Sequence, residues 1–256
     1  MSRPKHLERW SPLIVLMGVV LLWQAVVVVF DIPDFIFPGP WQIGLQFVEF
    51  RGPLLEAAWK TFWVTMLGFG ISIIVGVLLG FLIGSSRLAY TALYPLMVAF
   101  NAVPKAAVVP ILVVWFGIGL GPGVLTAFLI SFFPITVNIA TGLATLEPEL
   151  EDVLRVLGAK RWDVLIKVGL PRSMPYFYGS LKVAITLAFV GTVLAEMTAG
   201  DSGIGYLMQT AGSQQRLPLA FAGLVLIGAM AMVMYELFSW VERHTTAWAH
   251  RGTHAG

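Results

Sequence analysis

Ionisable side chains inside long apolar runs are the first candidates for chemistry in this sequence. Lys105 follows Pro104 within one such run, and Glu196 lies near the end of another. A charge in hydrocarbon is costly, so such residues usually face a polar pathway or a partner. If Lys105 lines a transient aqueous cavity, its ammonium group attracts an anionic solute, and backbone groups freed around Pro104 bind polar atoms. The alternatives are that Lys105 extends toward the membrane surface or pairs with Glu196.

Two further polar residues have both a structural and a pathway interpretation. Glu196 precedes the glycine-rich turn Gly200–Gly205. We expect it to form a structural hydrogen bond to that turn, with a gating role as the alternative. Asn138 suits a pathway lining, although hydrogen bonding between helices is the commoner use of such residues. The candidate pathway or gate residues are therefore Pro104, Lys105, Asn138 and Glu196.

Several kinds of site are excluded by the residues present. The chain has no cysteine, and its histidines lie in the two tails, so no histidine or thiolate metal site is expected within the apolar runs. It also has no Gly-x4-Gly-Lys-Ser/Thr loop and no GxGxxG, although Gly117, Gly119, Gly121 and Gly123 stand close together. We expect no catalytic site, metal or cofactor. The basic residues are dispersed, which argues against nucleic acid.

The elements that position these residues are expected to be membrane-spanning helices. The 256 residues are 58% apolar and only 12% charged. About 20 apolar residues form a helix that crosses a bilayer. Six such runs are predicted, the third broken by Pro104 and Pro110: Leu13–Phe30, Phe62–Gly84, Leu88–Phe116, Val124–Leu143, Met174–Ala199 and Leu219–Val241.

The connections between the runs have distinct compositions. Trp41–Phe50 is amphipathic and is predicted to lie along the membrane surface. Gly117–Gly123 and Gly200–Arg216 are predicted to be glycine-rich loops.

The distribution of basic residues predicts the orientation. Six spans place both termini on one side, and short cytoplasmic loops carry the excess of Lys and Arg. Arg51, Lys60 and Arg216 fall on the opposite side. The termini and the segment 145–172 are therefore expected in the cytoplasm, together with these basic residues: Arg3, Lys5, Arg9, Arg87, Arg155, Lys160, Arg161, Lys167, Arg172, Arg243 and Arg251.

The segment 145–172 is too charged for hydrocarbon. Pro148 suits a first helical turn, and Gly158 can adopt the left-handed conformation that ends a helix. A second short helix is predicted to run to Val168, until Pro171 breaks it. Apolar residues on both helices exceed what a solvated loop needs. They pack either on the protein's own spans or against a cytoplasmic partner.

The spacing in this segment resembles the cytoplasmic signature of binding-protein-dependent ABC importer permeases. That signature reads Glu-Ala-Ala, three residues, Gly, nine residues, Ile, one residue, Leu-Pro. Gly158, Leu170 and Pro171 match it, and Val168 replaces Ile. Asp152-Val153-Leu154 replaces Glu-Ala-Ala, so the first element departs from the pattern.

The likeness extends over residues 35–245 and is greatest for the nitrate, sulfonate and taurine branch, which includes carriers of thiamine precursors. It is carried by Pro104–Pro110, Trp115–Gly119, Phe133-Pro134, Ala195-Glu196 and Gly203–Tyr206.

The resemblance implies an all-α polytopic membrane protein with six transmembrane helices and the type I ABC importer permease fold. It implies one permease domain, 1–256, with a coupling loop at 145–172, in the bacterial inner membrane. The implied partners are a second permease copy, two cytoplasmic ATP-binding subunits and a periplasmic or lipid-anchored binding protein. The residues implied to contact the ATPase are Glu151, Asp152, Val153, Leu154, Gly158, Ala159, Trp162, Val168, Leu170 and Pro171.

The expected activity is ATP-driven import of a small, anionic solute, with a thiamine-precursor-like pyrimidine as the alternative substrate. A self-sufficient secondary transporter or channel is a second hypothesis, weakened by the absence of an inverted repeat and the scarcity of acids in the spans. An intramembrane enzyme is a third, for which no catalytic pair or metal cluster is visible in the spans.

Overall fold

A computed structural model describes residues 5–144, 156–158 and 160–246, and every regular element in these ranges is helical. Lys105–Val108 forms a 3-10 turn, and Leu165–Gly169 forms a π-helical turn. The helices are α1 Lys5–Val29, α2 Pro40–Glu49, α3 Arg51–Gly84, α4 Arg87–Ala102, α5 Val109–Phe116, α6 Leu120–Ala144, α7 Arg161–Val164, α8 Leu170–Ala199, α9 Gly203–Ser213 and α10 Leu217–Thr245.

Five helices of the described chain are long and apolar enough to cross a membrane, namely α1, α3, α6, α10 and α8 with the turn before it. A sixth span results if α4 is counted with Lys105–Phe116, which meets it at a bend of 71°. The break lies at Pro104, as the sequence predicts. Pro110, by contrast, lies in the first turn of α5, where its missing N–H leaves no hydrogen bond unmade.

The centre of the bundle is formed by α3, α6 and α8. Glycines on α3 let α6 approach closely: a Cβ at Gly76 would lie 2.8 Å from Ile135 Cβ, and one at Gly80 would lie 2.7 Å from Ile139 Cβ. The four-residue spacing of these glycines thus serves packing within the subunit. The buried core lies around this contact and comprises Phe69, Ala127, Ile135, Ile139, Leu143, Leu181, Ala184, Ile185, Ala188 and Phe189.

Hydroxyl groups add polar contacts between the same helices. Ser72 Oγ on α3 lies 2.6 Å from Ser131 Oγ on α6. Thr65 Oγ1 on α3 lies 2.9 Å from Thr192 Oγ1 on α8. Because hydrocarbon offers no other partner to a hydroxyl, such pairs stabilise helix contacts within a bilayer.

A second apolar cluster lies at the end of the bundle that is predicted to face away from the cytoplasm, called the outer end. There α2, α3, α9 and α10 meet. The first span is attached there: the Trp23 ring lies 5.4 Å from Phe37 and 6.4 Å from Phe221 on α10. Gln24 Oε1 accepts a hydrogen bond from the Trp41 backbone N–H at 3.0 Å. Most of the remaining surface of α1 that the structure describes is exposed.

Outside the segment 145–172, two sequence predictions of local structure are wrong, and one helix is longer than its apolar run. Much of Gly200–Arg216 is helical, as α9, because buried Ile204 and Ala211 give it an apolar face. In Gly117–Gly123 only the first three residues lie outside a helix. Helix α3 begins at Arg51, before the apolar run. The ion pair Glu56–Lys60, with its charged atoms 3.1 Å apart, stabilises this first part of the helix because the two residues are four positions apart.

Candidate coupling elbow and pathway residues

The elbow, defined here as residues 156–169, turns at Gly158. Its φ of +89° lies in the left-handed region, and nothing comes within 4 Å of the position a Cβ would occupy. The backbone conformation, rather than space, therefore requires glycine. Ala159 lies outside the described residues, as do Glu151, Asp152, Val153 and Leu154.

Asp163 caps the start of α7. Its Oδ2 accepts a hydrogen bond from the Lys160 backbone N–H at 3.3 Å, and its Oδ1 lies 3.1 Å from Lys167 Nζ. The hydrogen bond and charge of Lys167, with the Lys160 N–H, hold the pKa of Asp163 below its usual range. These contacts fix the short helix that contains Trp162.

Three of the described apolar side chains of the elbow are exposed. Val156 and Leu157 are 88% and 77% exposed, and Ile166 is 54% exposed. Val164, by contrast, is buried, and Val168 is partly buried. The interpretation that these side chains all pack on the protein's own spans therefore fails for Val156, Leu157 and Ile166.

Pro171 does not end the second helix of the elbow, contrary to the sequence prediction. The π-helical turn runs directly into α8, and Leu170 and Pro171 occupy the first turn of α8. Proline is tolerated there because the wide π turn and the helix start already remove the regular backbone hydrogen bonds. The elbow is thus continuous with the fifth span. Leu170 and Pro171 are both exposed.

Lys105 lies at the break in the third span. Its Nζ donates to the backbone carbonyl of Asn101, to Asn101 Oδ1 at 3.0 Å and to the Phe100 carbonyl at 3.2 Å. The ring centre of Phe100 lies 5.6 Å from Nζ. These carbonyls belong to the last turn of α4, where the regular helical donors are missing; the Phe100 carbonyl also accepts the Val103 N–H at 3.3 Å. The ammonium group therefore caps α4, and Pro104 begins the turn that brings it there.

Asn138 lies on α6, where its Nδ2 donates to the Pro134 carbonyl at 2.8 Å. Proline lacks an N–H and disturbs the helical hydrogen bonds around it. The Asn138 amide remains partly buried and bonds within its own helix.

Glu196 is 8% exposed, near the end of α8. Both carboxylate oxygens lie 2.9 Å from Thr61 Oγ1 on α3, and Oε2 also accepts the Gly205 N–H at 2.8 Å. The expected hydrogen bond to the Gly200–Gly205 turn is therefore present. No hydrogen bond or ion pair of the described residues joins Glu196 to Lys105.

An open cavity of about 300 Å³ lies at the end of the bundle that is predicted to face away from the cytoplasm, between α3, α9 and the start of α10. Its polar lining includes Glu56, Lys60, Tyr206, Thr210 and Gln214. The sequence does not predict this cavity, because it predicts a loop where α9 lies. Nor does it indicate Thr61, which looks like any threonine at the start of a span.

Comparison with known proteins identifies the family of this chain. Residues 72–247 match the family described as binding-protein-dependent transport system inner membrane component. The chain belongs to this family. The permease therefore has the fold and the membrane-transport character that its elbow signature indicates.

Relatives of the permease align along most of its length. It is 32% identical to the riboflavin transport system permease protein RibX of Chloroflexus aurantiacus, over 96% of this chain and 94% of the relative. It is 26% identical to the formylaminopyrimidine transport permease protein ThiX of Halalkalibacterium halodurans, over 93% and 95%. It is 27% identical to a protein of Bacillus subtilis described as the putative aliphatic sulfonates transport permease protein SsuC, over 90% and 84%.

Solved structures share the fold. The permease resembles an inward-facing MetNI methionine ABC transporter with a TM-score of 0.68 at 18% identity, covering 77% of this chain and 98% of that one. It resembles a bacterial alginate ABC transporter, solved with an alginate-bound periplasmic protein, with a TM-score of 0.60 at 14% identity, covering 94% and 97%. The chain thus has the fold of ABC importer permeases.

Proposed function

We propose that this permease works as a homodimer whose elbows rest on two cytoplasmic ATP-binding subunits, with ATP hydrolysis on those subunits. A periplasmic or lipid-anchored binding protein delivers the substrate from the opposite side. ATP binding draws the elbows together and opens the pathway outward, and hydrolysis returns it to the inward-facing state. The proposal rests on family membership and places the termini and the elbow in the cytoplasm.

The observation that carries the proposal is the exposed apolar surface of the elbow. Val156 and Leu157 are exposed in a segment too charged to enter the membrane. Only a partner that covers these side chains removes their apolar surface from water. Such burial stabilises the complex by about 25 cal/mol per Å² of apolar surface. A cytoplasmic partner protein is the natural cover.

Gly158 provides the test. Gly158→Val forces a β-branched residue into the left-handed region, at a cost of about 1–3 kcal/mol, and so misplaces the elbow. We expect ATP-dependent uptake to fall at least about tenfold while the permease stays in the membrane. The matched control is Gly179→Val, since Gly179 has open space around it and no positive φ. Uptake that Gly158→Val leaves unchanged would contradict the proposal.

The substrate class has two candidates. The prediction of a small anion rests on Lys105, whose ammonium group is engaged by oxygens of its own chain, so an anion would have to displace them. A flat nitrogen heterocycle needs no such displacement. The relatives named for riboflavin and formylaminopyrimidine favour it, whereas the one named for aliphatic sulfonates favours the anion.

Binding measurements on the co-purified binding protein separate the two classes. Nitrate, sulfonates, riboflavin and pyrimidine precursors are titrated in turn by calorimetry. Saturable binding of a sulfonate or nitrate alone supports the anion, and binding of a heterocycle alone rejects it.

A further inference from the structure

Backbone N–H groups at the amino-terminus of α9 donate hydrogen bonds to side chains of two other helices. The first N–H groups of a helix have no partner within it. Ser202, the residue before α9, makes no capping hydrogen bond with its side chain. Instead the Ile204 N–H donates to Thr61 Oγ1 at 2.8 Å, and the Gly205 N–H donates to Glu196 Oε2 at 2.8 Å. Thus α3 and α8 together hold the start of α9.

The backbone of α9 is shaped around the Glu196 side chain. Gly203 has a φ of +93°, and a Cβ there would overlap the Glu196 carboxyl group. A Cβ at Gly205 would lie 2.7 Å from Glu196 Cβ. The Glu196 carboxyl group therefore reaches the Gly205 N–H only because both positions lack side chains. The carboxyl group also lies at the amino-terminal end of α9, where the helix dipole favours negative charge.

The same helix that carries Glu196 is continuous with the elbow. α8 has 30 residues and spans about 45 Å at ~1.5 Å per residue. Only Gly200–Ser202 separate its end from α9. The elbow and α9 are therefore connected by one helix, α8, and a three-residue link beside the Glu196 side chain. Residues of α9, among them Tyr206, form one wall of the cavity.

We propose that Glu196 and Thr61 are positioning residues for transport: they join α9 to α8, so that α9 and the cavity wall follow the elbow. This inference rests on the proposed function, since it needs an elbow that ATP moves. It assigns Thr61 a role that no sequence motif indicates. It also gives Glu196 a part in gating through α9, without contact to substrate.

Three variants of threonine residues isolate the hydrogen bonds. Thr61→Val keeps the shape of the side chain and removes the hydroxyl, while Thr61→Ser keeps the hydroxyl. Thr65→Val is the matched control, since the Thr65 hydroxyl bonds to the Thr61 carbonyl and to Thr192, one turn away from α9. Glu196→Asp serves as a second test variant, because its carboxylate is one methylene too short to reach the Gly205 N–H.

The measurements use the full permease assembled with its ATP-binding and binding-protein partners. The chain has no cysteine, so Tyr206→Cys introduces a single reporter in the cavity wall. Its rate of labelling by a membrane-impermeant maleimide is compared between nucleotide-free and ATP-trapped complexes, alongside ATP-dependent uptake. In the otherwise unchanged permease, the two labelling rates are expected to differ.

Thr61→Val and Glu196→Asp are expected to abolish the difference in labelling rate and to lower uptake roughly tenfold, as expected for the loss of one buried hydrogen bond to a charged acceptor. Thr61→Ser and Thr65→Val should keep both readouts within about twofold. A nucleotide-dependent difference that survives Thr61→Val and Glu196→Asp overturns the inference alone. If the unchanged permease shows neither ATP-dependent uptake nor that difference, the proposed function itself fails.

Discussion

Lys182 Nζ lies 2.7 Å from Glu242 Oε2, and this ion pair joins α8 to α10. The two side chains are only 18% and 15% exposed, and the ring centre of Tyr235 lies 5.8 Å from Nζ. Removing one partner would leave the other charge with little water around it. Replacing one of the two residues should therefore destabilise the protein more than replacing both with apolar residues.

We expect Lys182→Met to destabilise the permease by about 2 kcal/mol, below the ~3–5 kcal/mol of a fully buried pair because some water reaches both groups. Thermal unfolding of the purified protein in detergent measures this. The double variant Lys182→Met with Glu242→Leu is the control, and we expect it to recover most of the loss. A double variant as unstable as the single one would show that the pair is not the cause.

Gly80 tests the contact between α3 and α6. A Cβ at this position would lie 2.7 Å from Ile139 Cβ and 2.8 Å from the Thr136 carbonyl. Gly80→Ala should therefore lower stability by about 1–3 kcal/mol through overpacking. The matched control is Gly70→Ala on the same helix, where nothing lies within 4 Å, and alanine should stabilise slightly. Equal melting temperatures for the two variants would refute this packing.

Lys105 distinguishes a capping role from substrate attraction. Lys105→Met removes the donor from the carbonyls of Phe100 and Asn101, and we expect a loss of about 1 kcal/mol in stability. Lys105→Arg should retain most of it, since a guanidinium group also donates to carbonyls. Thermal unfolding and the KM for uptake are measured on both. Unchanged stability with a raised KM would instead place Lys105 in the pathway.

Leu157 tests the exposed surface of the elbow. Leu157→Asp should abolish co-purification of the ATP-binding subunit, because a charge buried at an interface without a partner costs several kcal/mol. The permease's own melting temperature should not change, since Leu157 is 77% exposed. Lys160→Ala, an exposed change in the same segment, is the control and should retain the partner. If the ATP-binding subunit still co-purifies with Leu157→Asp, the interface does not include Leu157.

Five of the six predicted spans correspond to single long helices, because their apolar runs are long, whereas the third run is bent at Pro104. The break at Pro104 and the turn at Gly158 were also predictable, since proline and glycine act on the local backbone. The spacing of Gly76 and Gly80 within one helix indicates a face that another helix approaches closely, but it does not identify α6 as that helix.

The relationships that sequence reasoning missed depend on residues far apart in the chain. Thr61 meets Glu196 across 135 positions, and Lys182 meets Glu242 across 60. Neither pairing leaves a local pattern. Helix α9 was missed because its glycines suggest a loop, whereas Gly203 and Gly205 are there to admit the Glu196 carboxylate. Pro171 was misjudged because a π turn lets proline begin a helix without a break.

ATP-dependent uptake in proteoliposomes is the most direct test of the proposed function. The permease is reconstituted with the ATP-binding subunit and binding protein that co-purify with it, and uptake of the solute bound by that protein is followed. We predict uptake that requires ATP, both partners and an intact Gly158, and that persists when ion gradients are collapsed. Uptake that proceeds without the ATP-binding subunit and follows an ion gradient would contradict the proposal and support a self-sufficient transporter.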